Sequence, residues 1–259
     1  GGLLFVHEPN RSRRDWAYLA DKLSRQGFTS LIFDLRGHGG SLMRGDEELD
    51  REIFMDEDFA AMQQDVAAAA DFLRARPGVA EHGIQLAGSD LGGSVALLHA
   101  VGDPSIRAVL LLSPGLGYDN LNTMGQALQL GQRPLAMVFS VEDAYSKKST
   151  EILTRERGDL PTHVEMLYGM GHGAKMLSRA PELEVLMVRW FLGRIFAADG
   201  RPPGEVYKPE AVEKGVSGFD VEAEKARREQ AASAQRDSEL KAVDEDETNP
   251  ERKRWDDEK

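Results

Sequence analysis

From Leu3 to about Phe196, short apolar runs alternate with longer stretches whose apolar residues recur at helical spacing. The strand candidates are "LLFVH" (Leu3 to His7), "SLIFDL" (Ser30 to Leu35), "GIQLAG" (Gly83 to Gly88), "AVLLLS" (Ala108 to Ser113), "LAMVFS" (Leu135 to Ser140) and "VEMLYG" (Val164 to Gly169). They are nearly continuous in apolar residues, the pattern of strands covered on both faces in a parallel sheet. Helix candidates fill the intervals: Arg14 to Arg25, Asp56 to Arg74, Leu91 to Val101, Leu121 to Leu130, Ser146 to Arg157 and Pro181 to Phe196. This order predicts the α/β class, with an open, mostly parallel, doubly wound sheet. In such sheets a small-molecule ligand is expected at the carboxyl ends of the strands.

The pattern breaks after Ala197. Residues 1–197 read as one domain, 198–220 as a Pro/Gly-broken linker, and 221–259 as a charged tail. From Arg201 onward there are 12 Lys and Arg against 17 Asp and Glu, with few apolar residues to bury. Two readings of the tail stay open: a solvated, disordered segment, or an arm that becomes helical on a protein partner.

Composition narrows the partners. With 41% hydrophobic residues among 259, the chain can bury a substantial core. A formal net charge of -12 argues against nucleic acid or an anionic membrane surface, since both need a concentrated positive face. No apolar run approaches the roughly 20 residues of a transmembrane helix. With no cysteine there is no disulfide or thiolate metal site, and cytoplasm and periplasm both stay open. The chain enters a strand directly after Gly1 and Gly2 with no initiating Met, so an upstream segment is expected to be missing. No metal or cofactor is expected: His7, His38, His82, His99, His163 and His172 lack ligand spacing, and the acidic stretch Arg44 to Asp58 lacks the glycine and offsets of a calcium loop.

The chemistry concentrates in "IQLAGSDLGGSVALL", Ile84 to Leu98. A strand that turns sharply into a helix, with glycines two positions either side of the apex, has the form of a nucleophile elbow. Gly88 and Gly92 take those positions around Asp90. Centring on Ser89 would put Leu91 in a small-residue position, where it is too bulky. Asp143 follows the strand ending at Ser140, and His172 follows the next strand in a glycine-flanked loop, 53 and 29 residues further on in turn. The order is that of nucleophile, acid and histidine, and all three loops open on one sheet edge.

As a set, "LLFVHEPNRSRRDWAYLADKLSRQGF", "LIFDLRGHGGS", the elbow, "VLLLSPGLGY", "VEDAYS" and "GMGHG" resemble the α/β-hydrolase superfamily, of dienelactone-hydrolase or serine-esterase type. The resemblance covers roughly Leu3 to Phe196. It implies an α/β-hydrolase fold that lacks its first strands and a cap, and a catalytic set of Asp90, Asp143 and His172, with Asp90 where the family carries serine. His38, in "DLRGHGGS", is read as structural.

Two departures weigh on function. The family's loop after the first strand here usually reads His-Gly-x, and the N–H of x joins that of the residue after the nucleophile in an oxyanion hole. The aligned oxyanion-hole positions are Pro9 and Leu91, and proline has no N–H. Loss of one such donor costs about 3 kcal/mol, or roughly 100- to 1000-fold in rate. The second departure is Asp90 itself. "GSDLGG" also resembles the elbow of haloalkane dehalogenases and epoxide hydrolases, in which an aspartate attacks an sp3 carbon. Those families rely on a cap for leaving-group donors, whereas only about 20 residues separate "LLLSPG" from "PLAMVFS", and Tyr118 is a lone tyrosine. Two carboxylates beside His172 would also favour the imidazolium, which cannot act as a general base. Two functions therefore stand: a protein of degenerate site, acting as a non-catalytic binding or assembly subunit through its tail, or a hydrolase that uses Asp90, His172 and Asp143 on a small molecule.

Overall fold

The computed structural model describes residues 1–80, 83–118 and 121–195. The linker at 198–220 and the tail at 221–259 read from the sequence lie outside the described residues.

The strands are β1 Gly2–Val6, β2 Thr29–Ile32, β3 Met43–Arg44, β4 Glu47–Glu48, β5 Ile84–Ser89, β6 Ile106–Leu112, β7 Gly117–Tyr118, β8 Leu121–Asn122, β9 Leu135–Ser140 and β10 Thr162–Leu167. The helices are α1 Ala17–Ser24, α2 Asp56–Arg74, α3 Leu91–Gly102, α4 Ala144–Arg157, α5 Lys175–Arg179 and α6 Pro181–Phe191. All six apolar runs join one sheet in the order β10-β9-β6-β5-β1-β2, with every adjacent pair parallel. The chain therefore steps from β1 to the edge strand β2, crosses back to β5 and winds out the other way through β6 and β9 to β10, and the α/β, doubly wound expectation holds. No helix among the described residues is long and apolar enough to cross a membrane.

Both faces of the sheet are covered, which is why the strand runs are apolar throughout. On one face Leu3, Phe5, Ala87 and Leu110 pack with α1 and α6, where Trp16 and Phe191 flank Phe5 at ring separations of 5.1 and 5.9 Å. Burial of a ring such as Phe5, fully enclosed here, stabilises the fold by about 1.5–3 kcal/mol. The buried amide of Gln85 on β5 donates to the carbonyl of Phe191 at 3.0 Å, so the polar group on that face ties down the end of α6. Helices α2, α3 and α4 cover the other face, α3 against β5 and β6 and α4 against β9 and β10.

The expected helix over Leu121 to Leu130 does not form. Asn122 Oδ1 accepts the Met124 N–H at 2.9 Å, Thr123 Oγ1 donates to the Gly115 carbonyl at 2.7 Å, and Gly125 adopts φ +74°. These side chains offer the backbone turn partners that compete with a helix. The segment makes the β7–β8 hairpin and a single 3-10 turn at Ala127–Leu130. The first expected helix splits into a 3-10 turn at Arg13–Trp16 followed by α1, and the last stops at Phe191, with Gly193 at φ +68° just beyond. Helix α5 and the β3–β4 hairpin have no counterpart in the sequence expectation.

Candidate active site

Asp90 stands between β5 and α3 with φ +48° and ψ -119°, a left-handed backbone rare for a non-glycine residue. Its N–H donates to the Leu112 carbonyl at 2.9 Å, and its own carbonyl accepts the Ser94 N–H at 3.1 Å. The bend is tight enough to exclude side chains on both flanks. A Cβ on Gly88 would lie 2.4 Å from the Gly92 carbonyl oxygen, and one on Gly92 would lie 2.2 Å from that of His7. The two elbow glycines thus let α3 sit against β5 and against the carboxyl end of β1.

Asp143 follows β9 and begins α4. Its Oδ1 accepts the Ser146 N–H at 3.0 Å, capping the helix, which leaves Oδ2 to accept from His172 Nδ1 at 2.5 Å. His172 Nε2 lies 3.6 Å from Asp90 Oδ2. The imidazole is therefore held between two carboxylates. Its side chain is 39% exposed, while those of Asp90 and Asp143 are 14% and 11% exposed. Burial disfavours charge on His172, but the bond to Asp143, the pairing with Asp90 and the field of both carboxylates outweigh it and push its pKa up to about 10. For Asp143 burial raises the pKa, and the bond and charge of His172 outweigh it, leaving the carboxyl at about 2.

The loop carrying the imidazole is fastened along its length, from Gly169 to Ala174. The Gly169 N–H donates to Glu142 Oε1 at 2.7 Å, Met170 N–H to Ser140 Oγ at 3.1 Å, Gly173 N–H to Ser113 Oγ at 2.9 Å and Ala174 N–H to Glu8 Oε2 at 2.9 Å. The acceptors sit at or just past the carboxyl ends of β9, β6 and β1. Ser113, fully buried with φ +48°, turns its hydroxyl to the loop from the end of β6.

Sequence reasoning placed Asp90, Asp143 and His172, and these three come together. Leu91 opens α3 directly after the apex, and Pro9 lies in the turn after β1, three residues past Val6, which pairs with Gly88. Reasoning from sequence missed the anchoring roles of Ser113, Ser140, Glu142 and Glu8. The one available signal was that "AVLLLS" and "LAMVFS" each end an apolar strand on serine. His38 is buried, with Nδ1 at 2.8 Å from the Arg36 carbonyl and its pKa lowered by burial to about 4. His7 is buried too: its Nε2 accepts the Leu35 N–H at 3.0 Å while Nδ1 faces the Glu8 carbonyl at 2.8 Å. Tyr118, on β7, has its ring 5.8 Å from that of Phe59 on α2, which in turn meets Phe54 edge-to-face at 5.9 Å. The Tyr145 hydroxyl accepts the Leu116 and Gly117 N–H groups at 3.1 Å and fixes the loop after β6.

A search of curated proteins finds no match to this chain. Among solved structures it resembles a dienelactone hydrolase from Anabaena variabilis, with TM-score 0.60 and 19% identity over 74% of this chain and 86% of that one. It also resembles an α/β hydrolase, GrgF, from a Penicillium species (0.60, 15% identity, 74% and 89% covered). A monoacylglycerol lipase from Paleococcus ferrophilus matches at 0.57, with 15% identity and 75% and 95% covered. At these identities the likeness is one of fold. Residues 1–164, more than half of the chain, match the family model described as serine aminopeptidase, S33. By that match, and with the sheet order and elbow that accompany it, the chain belongs to the serine aminopeptidase S33 family of α/β hydrolases.

Proposed function

We propose that this protein is an α/β-hydrolase-fold member whose site no longer performs ester hydrolysis, and that it serves as a binding or assembly subunit. One observation carries the reading: His172 is bracketed by Asp143 and Asp90, which hold it as the imidazolium near neutral pH. A nucleophilic serine needs a neutral imidazole to take its proton, and an imidazolium has no lone pair to offer. Asp90 takes the place of that serine in the elbow. At the oxyanion position the chain has Pro9, which lacks the N–H donor, so Leu91 N–H would be left to bind the developing charge by itself. Attack by Asp90 on an ester carbonyl would give an anhydride, a poor route to hydrolysis.

A second reading is favoured by the elbow geometry, in which Asp90 keeps the positive φ of an attacking residue and its Oδ2 faces Nε2 at 3.6 Å. In this reading Asp90 attacks an sp3 carbon of a small alkyl halide or epoxide. A carbon–oxygen bond forms to the carboxylate and the carbon–halogen or epoxide carbon–oxygen bond breaks. Alkylation removes the Asp90 charge and lowers the hold on the imidazole proton, which Nε2 then gives up, to the alkoxide of an opened epoxide or, after halide departure, to solvent. Water then attacks the acyl carbon of the new ester, its proton passes to His172 Nε2, and the alcohol leaves with a proton while Asp90 returns as carboxylate. Halide would depart as the anion.

The deciding experiment is a screen of the purified chain against short acyl esters, alkyl halides and epoxides, with His172→Ala as control. Silence on all three classes is the expected result. Turnover of halides or epoxides that disappears in the control selects the second reading, and ester turnover that disappears in it refutes both.

A further inference from the structure

Glu8 has no part in either reading above, yet at 6% exposure it is among the most enclosed carboxyls of the described residues. It follows β1 by two residues and reaches across the carboxyl edge of the sheet to the loop after β10. Its Oε2 accepts the Ala174 N–H at 2.9 Å, a bond spanning 166 residues of sequence. The loop is shaped around that carboxylate. Gly173 adopts φ +57°, and a Cβ on it would lie 1.6 Å from Glu8 Oε2 and 2.6 Å from its Cδ, so the space a side chain would need is filled by the Glu8 carboxyl. The charge of Glu8 also acts on the site. Its pKa is raised overall: burial is the largest cause and Asp90 adds to it, while the Ala174 bond and the charges of His172 and Arg11 pull it back down. Arg11 Nε stands 3.7 Å from Oε1 on the solvent side.

We propose that Glu8 is a positioning residue: its buried carboxyl clamps the histidine loop to β1 and, as a carboxylate, adds a third negative charge to those of Asp90 and Asp143 around the His172 loop. The groups that bear on the imidazole are then Asp90 from the elbow, Asp143 from the start of α4, Glu8 from the end of β1 with Arg11 behind it, and Arg179 of α5, whose guanidinium lies against Gly171. Among these the carboxylates outnumber the cations, and Glu8 is the one whose side chain is bonded to the loop backbone next to the histidine. The inference deepens the reading of a site built around a charged imidazole and rests on it.

Two variants separate clamp from charge. Glu8→Gln keeps an acceptor for Ala174 N–H and removes the charge, whereas Glu8→Ala removes both. The His172 imidazole is titrated by NMR in each, assigned through His172→Gln, and amide hydrogen exchange is read at Gly173 and Ala174. In Glu8→Gln the His172 midpoint is expected to fall by about half a pH unit or more. In Glu8→Ala exchange at Ala174 is expected to accelerate about tenfold or more, the loss of one buried hydrogen bond. A midpoint in Glu8→Gln equal to the parent's, or Ala174 exchange unchanged in Glu8→Ala, overturns the proposal. If Glu8→Ala does not fold, the Glu8→Gln titration decides by itself. A parent midpoint near 6.5 would sink the functional reading instead, and the difference between parent and Glu8→Gln still judges Glu8.

Discussion

Substituting alanine at two glycines of the same helix should move stability in opposite directions. At Gly92, on the first turn of α3, the new methyl carbon would lie 2.2 Å from the His7 carbonyl oxygen, 2.6 Å from that of Val6 and 2.9 Å from the His7 carbonyl carbon. All three are backbone atoms of β1 and its end, which cannot swing aside as the tip of a side chain can. Overpacking typically costs about 1–3 kcal/mol, and a clash with strand backbone belongs at the upper end of that range. Alanine's better helix propensity returns about 1 kcal/mol. The net loss is about 2 kcal/mol, which for a domain of this size lowers Tm by roughly 4–8 °C. At Gly102, the exposed last residue of the same helix, nothing lies within 4 Å of the added carbon. There the substitution only restricts the unfolded chain and gains about 0.5–1 kcal/mol. Thermal unfolding followed by circular dichroism, with urea midpoints as a second measure, reads both variants. A Gly92→Ala protein that melts at or above the parent would refute the idea that the elbow needs this close approach of helix and strand.

Two further outcomes test the charge placement. Arg157 is 1% exposed, and its guanidinium donates to the carbonyls of Ala127, Gly131, Arg133 and Pro161 and to Thr162 Oγ1 at 2.8–3.1 Å. Arg157→Met leaves several buried acceptors unpaired and should cost at least about 3 kcal/mol by urea titration, and a loss under about 0.5 kcal/mol would contradict that role. For His172 the folded pKa of about 10 stands above the ordinary 6.5, so its stabilising contribution is full below 6.5 and is lost as pH rises toward 10. The Tm difference between the parent and His172→Gln should therefore shrink steadily from pH 6.5 to 10, and a constant difference would speak against an ion-paired imidazole.

The strands of the sheet and their parallel direction were legible because each core strand is apolar on both faces, a signal independent of its neighbours. The elbow was legible because two glycines at fixed spacing around a polar residue, between a strand and a helix, express a steric demand that at Gly88 acts within a few residues, even though at Gly92 it comes from β1. The misplaced helix at Leu121 to Leu130 failed for the opposite reason: its apolar spacing was helical, but Thr123 had backbone partners at Gly115 and Leu116 that only the folded loop brings into reach, while Asn122 turned the chain locally onto Met124 N–H. The role of Glu8 was not legible. Its bond partner lies 166 residues away, and no local pattern announces that a glycine after a histidine will leave room for it.

What separates the two functional readings is the balance of charge at the site, since both require the same placement of atoms. The bond of 2.5 Å from Nδ1 to Asp143 orients the imidazole equally well for a base or for a fixed cation. A second carboxylate 3.6 Å from Nε2 decides between them. Whatever removes the charge on Asp90 returns the imidazole toward a titratable range, and whatever preserves it keeps the proton on. Asp90→Asn is thus the informative substitution: the side chain keeps its shape, the cation loses one of its two closest anions, and the His172 midpoint should drop. If the His172 midpoint stays where it is in the parent, Asp90 does not hold the proton, and the physical basis for an ion-paired, non-hydrolytic site is gone.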